Sequence, residues 1–175
     1  MAVNNLSMPM TGRAVEPVTP TKSDIAYTHW MAGWSIGIAM AALSIGITIG
    51  VLQGLEHAGL NVYPYISPFL QSYYQGLTLH GVLNALVWTT FFIVGYFSYA
   101  IVHSLNRPLR SQLLHTIGFL VMVVGLVMAA IPMLLNYASV LYTMYTPMQA
   151  HWAFYIGLTL VVVGSWILGW NMFLT

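Results

Sequence analysis

Residues 73–84 read Tyr73-Tyr-Gln-Gly-Leu-Thr-Leu-His-Gly-Val-Leu-Asn84 and lie in the middle of an uncharged run. Residues 57–106 contain no Asp, Glu, Lys or Arg, and this run is longer than the about 20 apolar residues that a membrane-spanning helix needs. His80 therefore falls inside a predicted membrane helix. Because hydrocarbon is a costly place for a polar ring, an ionisable residue at this depth is a functional candidate.

The whole chain has the composition of a membrane protein. Of its 175 residues, 59% are hydrophobic and 4% are charged, whereas about a quarter of the residues in a soluble domain are charged. The formal net charge is +1, and without a basic patch we expect no nucleic-acid partner. The absence of cysteine excludes disulfides, iron–sulfur clusters and thiolate metal sites in this sequence.

The sequence predicts an all-α, polytopic membrane protein with four transmembrane helices. Turn-forming residues separate the apolar segments. The polar, proline-containing start of the chain, residues 1–26, is predicted to be an N-terminal tail. Residues 27–175 are predicted to form the transmembrane region, with helices at about 27–52, 68–105, 111–135 and 147–175.

The orientation follows from Arg107 and Arg110, the only basic pair beside a predicted span. Short cytoplasmic loops carry an excess of Lys and Arg, so this loop is predicted to lie in the cytoplasm and both termini with it. His80 then lies about 12 residues from the outer end of the second helix, or roughly 18 Å of helical rise. This depth is close to the middle of the membrane.

The first helix carries two ridges of small residues at four-residue spacing. Such ridges let helix backbones approach closely in lipid, either within one chain or against another subunit. The first ridge is Gly33, Gly37 and Ala41, and the second is Ala42, Gly46 and Gly50.

Five further histidines are predicted to lie near membrane interfaces or in loops. Three are expected to be interfacial anchors at cytoplasmic helix ends: His29, His103 and His115. His57 is predicted to be solvated in an outer loop. His151 precedes Trp152, as in an interfacial aromatic belt. Because only His80 is deep, we do not expect this chain to hold a haem between two of its own histidines.

The residues alone leave three roles open for His80: a hydrogen-bonded structural histidine, a metal or haem ligand, or a proton relay. Asn84 and Gly76 lie on its helical face, four residues to either side. Gly76 and Gly81 remove side-chain bulk where something flat could lie against the helix.

The stretch Gln71-Ser-Tyr-Tyr-Gln-Gly-Leu-Thr-Leu-His-Gly-Val-Leu-Asn-Ala85 resembles the second helix of subunit I of the haem–copper oxygen reductases, and closely their B family of cytochrome c oxidases. Residues 138–147 and 151–157 resemble the same family around the start of its fourth helix. The loop at 104–110 has no acidic residue, which fits the B family. The resemblance covers helices one to four.

This resemblance implies that His80 is one axial ligand of a low-spin b-type haem, with Gly76 and Gly81 packing against the haem face. It also implies a partner chain that carries the remaining subunit I helices. That chain would share the low-spin haem and hold the high-spin haem and copper, and a copper-bearing subunit II would donate electrons. No catalytic residue is expected on this chain, which would work only as part of an oxygen-reducing, proton-pumping assembly.

The expected location is the inner (plasma) membrane of a prokaryotic cell, in contact with lipid. The resemblance to only part of subunit I is compatible with a subunit that is split between two chains, and also with a piece of a longer chain. Two other functions remain open, a non-catalytic scaffold subunit of a respiratory complex and the equivalent part of a nitric oxide reductase-like enzyme. A small transporter is disfavoured because the predicted helices contain no intramembrane charges or breaks that would coordinate a substrate.

Overall fold

The computed structural model describes residues 19–175, and this part of the chain is helical. Its elements are α1 (Lys22–His57), α2 (Tyr63–Ile66), α3 (Tyr73–Gly81), a π-helix (Val82–Trp88), α4 (Thr89–Leu105), α5 (Gln112–Leu134) and α6 (Trp152–Phe173). These residues contain no strand, only an isolated antiparallel bridge between Ala138 and Ala150. Four helical spans are long and apolar enough to cross a membrane: Lys22–His57, Tyr73–Leu105, Gln112–Leu134 and Trp152–Phe173. The all-α class and the four membrane helices are confirmed.

The first helix is longer at both ends than the apolar pattern predicts. It begins at Lys22 rather than near residue 27, because Thr21 and Asp24 form a capping box. The Thr21 hydroxyl accepts from the Asp24 backbone N–H at 3.2 Å, and the Asp24 carboxylate accepts from the Thr21 N–H at 2.9 Å. The helix continues to His57, just before Gly59 turns the chain with a positive φ of 86°. Of the predicted tail, residues 1–18 lie outside the described part.

The second span starts at Tyr73 rather than near residue 68. Ser72 caps it, since its hydroxyl accepts from the Gln75 backbone N–H at 3.2 Å. The span changes to π-helical geometry at Val82–Trp88 and returns to α-helix at Thr89. It ends at Leu105, where Asn106 adopts a left-handed conformation with φ of 50°.

Helices α5 and α6 form a closely packed pair through glycines. A Cβ on Gly125 of α5 would stand 2.6 Å from the carbonyl oxygen of Gly157 on α6. About two helical turns away along both helices, a Cβ on Gly164 would stand 2.7 Å from the carbonyl oxygen of Gly118. These backbones can approach so closely only because the side chains are missing.

The two small-residue ridges of α1 have different environments. Ala42, Gly46 and Gly50 face the second span, and α1 packs along α3, the π-helix and α4. Nothing lies within 4 Å of where a Cβ would stand on Gly33 or Gly37, so the first ridge is open.

Buried polar side chains on α3 fix the second span against α5 and the following loop. The fully buried Gln75 amide donates to the carbonyls of Met133 and Leu134, at 3.0 and 3.1 Å. These carbonyls lie at the end of α5, where intrahelical N–H partners run out, although the Met133 carbonyl also accepts from the Asn136 N–H at 3.3 Å. The Thr78 hydroxyl accepts from the backbone N–H of Leu141 at 2.9 Å. Gln75 and Thr78 thus hold one side of α3 against the end of α5 and the loop that follows it. His80 lies on another side of the helix and faces α1.

Candidate functional site

His80 lies in the last turn of α3, half-buried, with its ring against α1. Its Nδ1 atom is 2.7 Å from the carbonyl oxygen of Gly46. A carbonyl oxygen only accepts, so Nδ1 carries the ring proton and donates it. In the neutral imidazole the lone pair is then on Nε2, which makes no hydrogen bond with any residue in the range 19–175. The site therefore presents one oriented imidazole nitrogen as a free ligand.

Two glycines of α1 make room for this arrangement. A Cβ on Gly50 would stand 2.7 Å from Cε1 and 2.8 Å from Nδ1 of His80. A Cβ on Gly46 would overlap the side-chain amide of Asn84. The four-residue spacing of Gly46 and Gly50 thus matches the four-residue spacing of Asn84 and His80 on the facing helix.

Asn84 lies beside Nδ1 of the His80 ring, and not beside Nε2. Its Nδ2 atom lies 3.1 Å from Nδ1 of His80. Its Oδ1 atom is buried without a hydrogen-bond partner in the described part of the chain. Since the Nδ1 proton is donated to Gly46, the amide packs against the ring at the proton-bearing nitrogen.

The two glycines predicted to face the haem lie against side chains of this chain. A Cβ on Gly76 would overlap the Gln53 amide and stand 2.8 Å from the Tyr63 hydroxyl, which bonds to that amide. A Cβ on Gly81 would stand 2.9 Å from Cβ of Tyr142. Burial raises the pKa of the Tyr63 hydroxyl above its ordinary value. The haem-face role of Gly76 and Gly81 stays a prediction.

The π-helix begins at Val82, two residues after His80. Segments of π-helix are rare and occur frequently at functional sites. This segment contains Asn84, so the geometry that brings the amide beside the imidazole is itself π-helical.

Of the other histidines, His115 departs from the sequence prediction, whereas His57 is exposed as predicted. The interfacial role predicted for His115 is wrong: its side chain is 2% exposed and its Nε2 is 3.4 Å from the Ser98 hydroxyl. Its neighbours include Ser98 of α4 and the ring of Tyr27 on α1, whose centroid is 6.2 Å from that of His115. His151 caps α6, because its Nδ1 accepts from the Ala153 N–H at 3.3 Å. His57 is exposed and stacks on Tyr73, with ring centroids 6.3 Å apart.

Sequence reasoning found His80 and missed its support on α1. The sequence pattern predicts that Gly46 and Gly50 pack against a helix of this chain or against another subunit, and it does not connect them with His80. A signal was present, since the two small residues and the two polar residues share one spacing. Within residues 19–175, no three His, Asp or Glu side chains come together as a metal-ion site.

The residues at this site fit one half of a haem-ligand pair. The free Nε2, the proton held on Nδ1 by a backbone carbonyl and the glycine-lined space around the ring are the features expected of an axial histidine. The described histidines supply no second ligand beside His80.

Comparison with known proteins agrees with this architecture. The family described as "Cytochrome C and Quinol oxidase polypeptide I" matches residues 31–175. Cytochrome c oxidase subunit 1 of Thermus thermophilus is 42% identical over 134 residues, which cover 74% of this chain and 24% of the relative. A cryo-EM structure of a heme-copper terminal oxidase dimer matches with a TM-score of 0.72 and 37% identity, over 85% of this chain and 24% of that chain.

The chain thus spans about a quarter of the length of the relatives that it matches. The matched range contains α3, the π-helix and the whole contact between His80 and α1. On the extent of that match, together with four apolar spans, the chain is an integral membrane protein that belongs to the cytochrome c and quinol oxidase polypeptide I family.

Proposed function

We propose that this chain supplies one axial ligand, Nε2 of His80, to a low-spin b-type haem in a respiratory terminal oxidase of the B family. A partner chain with the remaining subunit I helices would supply the opposite ligand and hold the high-spin haem and copper. A copper-bearing subunit II would deliver electrons. The observation that carries the proposal is the 2.7 Å contact between Nδ1 of His80 and the Gly46 carbonyl, which leaves Nε2 free.

The chain's own residues would position the ligand and tune it. Donation from Nδ1 to a backbone carbonyl fixes the ring orientation and makes Nε2 more basic. His80 lies on a helix with buried apolar side chains nearby in sequence, Leu79 and Leu83, and the polar Asn84 amide lies beside its Nδ1 atom. A low-dielectric environment and the hydrogen bond on the axial histidine are two of the means by which proteins set a haem potential.

When bound, the haem would supply reversible one-electron transfer at iron. Two imidazole ligands leave the iron no open position, so the site proposed here serves electron transfer rather than oxygen binding. Oxygen reduction would belong to the partner chain, because no catalytic residue is proposed on this one.

The proposed orientation places both termini and the Arg107–Arg110 loop in the cytoplasm of a prokaryotic cell, on the inner face of its plasma membrane. It rests on the positive-inside distribution of Arg107 and Arg110. His80 would then lie on the outer side of the bundle centre.

The test is His80→Ala in the complete, purified oxidase complex, measured by its reduced-minus-oxidised optical spectrum. We expect the low-spin haem bands to disappear while the high-spin bands remain. His57→Ala is the matched control, because His57 is an exposed histidine at the end of α1, and we expect its spectrum to be unchanged. An unchanged low-spin spectrum in an assembled His80→Ala complex would refute the proposal and favour a non-catalytic scaffold subunit.

A further inference from the structure

A pair of histidines meets near the start of α1, far along that helix from Gly46 and Gly50, which contact His80. His29 of α1 and His103 of α4 are both exposed, and their Nε2 atoms are 3.2 Å apart. Their rings are nearly parallel, with an interplanar angle of 13° and centroids 5.2 Å apart. These residues are separated by 74 positions in sequence, so the packing of α1 on α4 creates the pair.

The hydrogen bonds define which nitrogen of His103 is free. Its Nδ1 is 2.9 Å from the carbonyl oxygen of Tyr99, so Nδ1 carries the proton and donates it. Nε2 of His103 therefore has a lone pair, and the single proton between the two Nε2 atoms comes from His29. A backbone carbonyl that holds the second ring N–H is also the usual support of a metal-binding histidine.

The distance between the two Nε2 atoms suits a shared metal ion. Two Zn–N bonds of about 2.0–2.1 Å at a tetrahedral angle place their nitrogens about 3.3–3.4 Å apart, and adjacent ligands of an octahedral ion lie about 3.0 Å apart. The observed 3.2 Å falls between these values. For the ion to bind both Nε2 atoms, the single ring proton of His29 moves from Nε2 to Nδ1, which gives the other neutral tautomer and leaves a lone pair on each Nε2.

We propose that His29 and His103 bind one divalent transition-metal ion of the Zn²⁺ type, which bridges α1 and α4. The ligand set excludes Mg²⁺ and Ca²⁺ as the natural occupants, because those ions prefer oxygen ligands. The described residues offer no third His, Asp or Glu at this place, so water completes the coordination, and the exposure of both rings admits it. The bridge joins the two helical spans that also meet at His80 and Gly46.

The test is calorimetric titration of the purified, complete oxidase complex with Zn²⁺ alone. We expect one saturable site, and we expect His29→Gln and His103→Gln each to weaken it by about 100-fold, because a chelating pair becomes a single ligand. His57→Gln, at the other end of α1, should bind Zn²⁺ like the unaltered complex. Saturable binding that survives both substitutions, or no saturable binding in the unaltered complex up to about 1 mM Zn²⁺, would overturn the proposal.

A second measurement needs no variant. X-ray absorption at the zinc edge of the unaltered complex, loaded with one equivalent of Zn²⁺, should show two imidazole ligands and water. Zinc with fewer than two imidazoles contradicts the bridge. The haem spectrum should stay unchanged in both variants, so this result is independent of the role proposed for His80.

Discussion

Gly50 of α1 leaves the space that the imidazole of His80 occupies: a Cβ there would stand 2.7 Å from Cε1 of the ring. Gly50→Ala should therefore push the ring away from α1 and break the hydrogen bond from Nδ1 to the Gly46 carbonyl. We expect the low-spin haem bands of the complete complex to be shifted or reduced. The measurement is the reduced-minus-oxidised spectrum.

Gly54→Ala is the control for that substitution, because Gly54 lies one turn further along α1 with nothing within 4 Å of its would-be Cβ. Both changes raise helix propensity by the same amount. If Gly50→Ala and Gly54→Ala give the same spectrum as the unaltered complex, the ring does not depend on the space at Gly50.

The α5–α6 pair should be sensitive to one methyl group at Gly125. Its Cβ would stand 2.6 Å from the Gly157 carbonyl oxygen and 2.8 Å from the Val161 nitrogen, and backbone atoms cannot move away as a flexible side chain can. We expect Gly125→Ala to destabilise the complex by about 1–3 kcal/mol, the usual cost of overpacking. Thermal unfolding should show no such loss for Gly169→Ala, because Gly169 of α6 has open space.

Gln75 should be a structural residue, because its loss leaves the Leu134 carbonyl and the Gln71 N–H without a partner in the described part of the chain. Gln75→Leu would remove the bonds to the Met133 and Leu134 carbonyls and the bond from the Gln71 N–H at 2.7 Å. A buried polar group left unpaired costs about 1–3 kcal/mol. We expect a lower thermal midpoint of the complex than for Gln149→Leu, an exposed position. Equal thermal midpoints for Gln75→Leu and Gln149→Leu would contradict this expectation, since water would then replace the hydrogen bonds of the Gln75 amide.

The proposed orientation can be tested with single cysteines, because this chain has none of its own. Ser104→Cys and Thr143→Cys place a thiol at exposed positions on opposite sides of the predicted membrane. We expect a membrane-impermeant thiol reagent applied from outside to label Thr143→Cys alone, as detected by mass analysis of this chain. Outside labelling of Ser104→Cys instead would invert the topology.

The sequence predicts those features of the fold and of the site that depend on one segment alone. Four apolar runs are long enough to span a membrane, and His80 stands out because the run around it has no charge. The ends of helices are less predictable, since α1 begins at Lys22 through a capping box that lies outside the apolar pattern.

Features that depend on how two helices face each other were not predictable. The contact of His80 with Gly46, the pairing of His29 with His103 and the burial of His115 each join residues that are distant in sequence. Their geometry depends on the relative rotation of helices, which periodicity in one segment does not define.

The π-helix at Val82–Trp88 also decides where this span can change in length, because π-helical winding holds about one residue more than α-helical winding over a similar rotation. Removing one residue there and restoring α-helical winding would leave the residues beyond it facing nearly as they do now. A one-residue deletion after Thr89 that left the π-helix intact would instead turn everything beyond it by about 100° about the helix axis. Phe91 and Ser98, which have no exposed surface, would then rotate out of the bundle, and His103 would leave His29. A gap in an alignment of this span therefore belongs within Val82–Trp88, where it preserves the inward positions that follow.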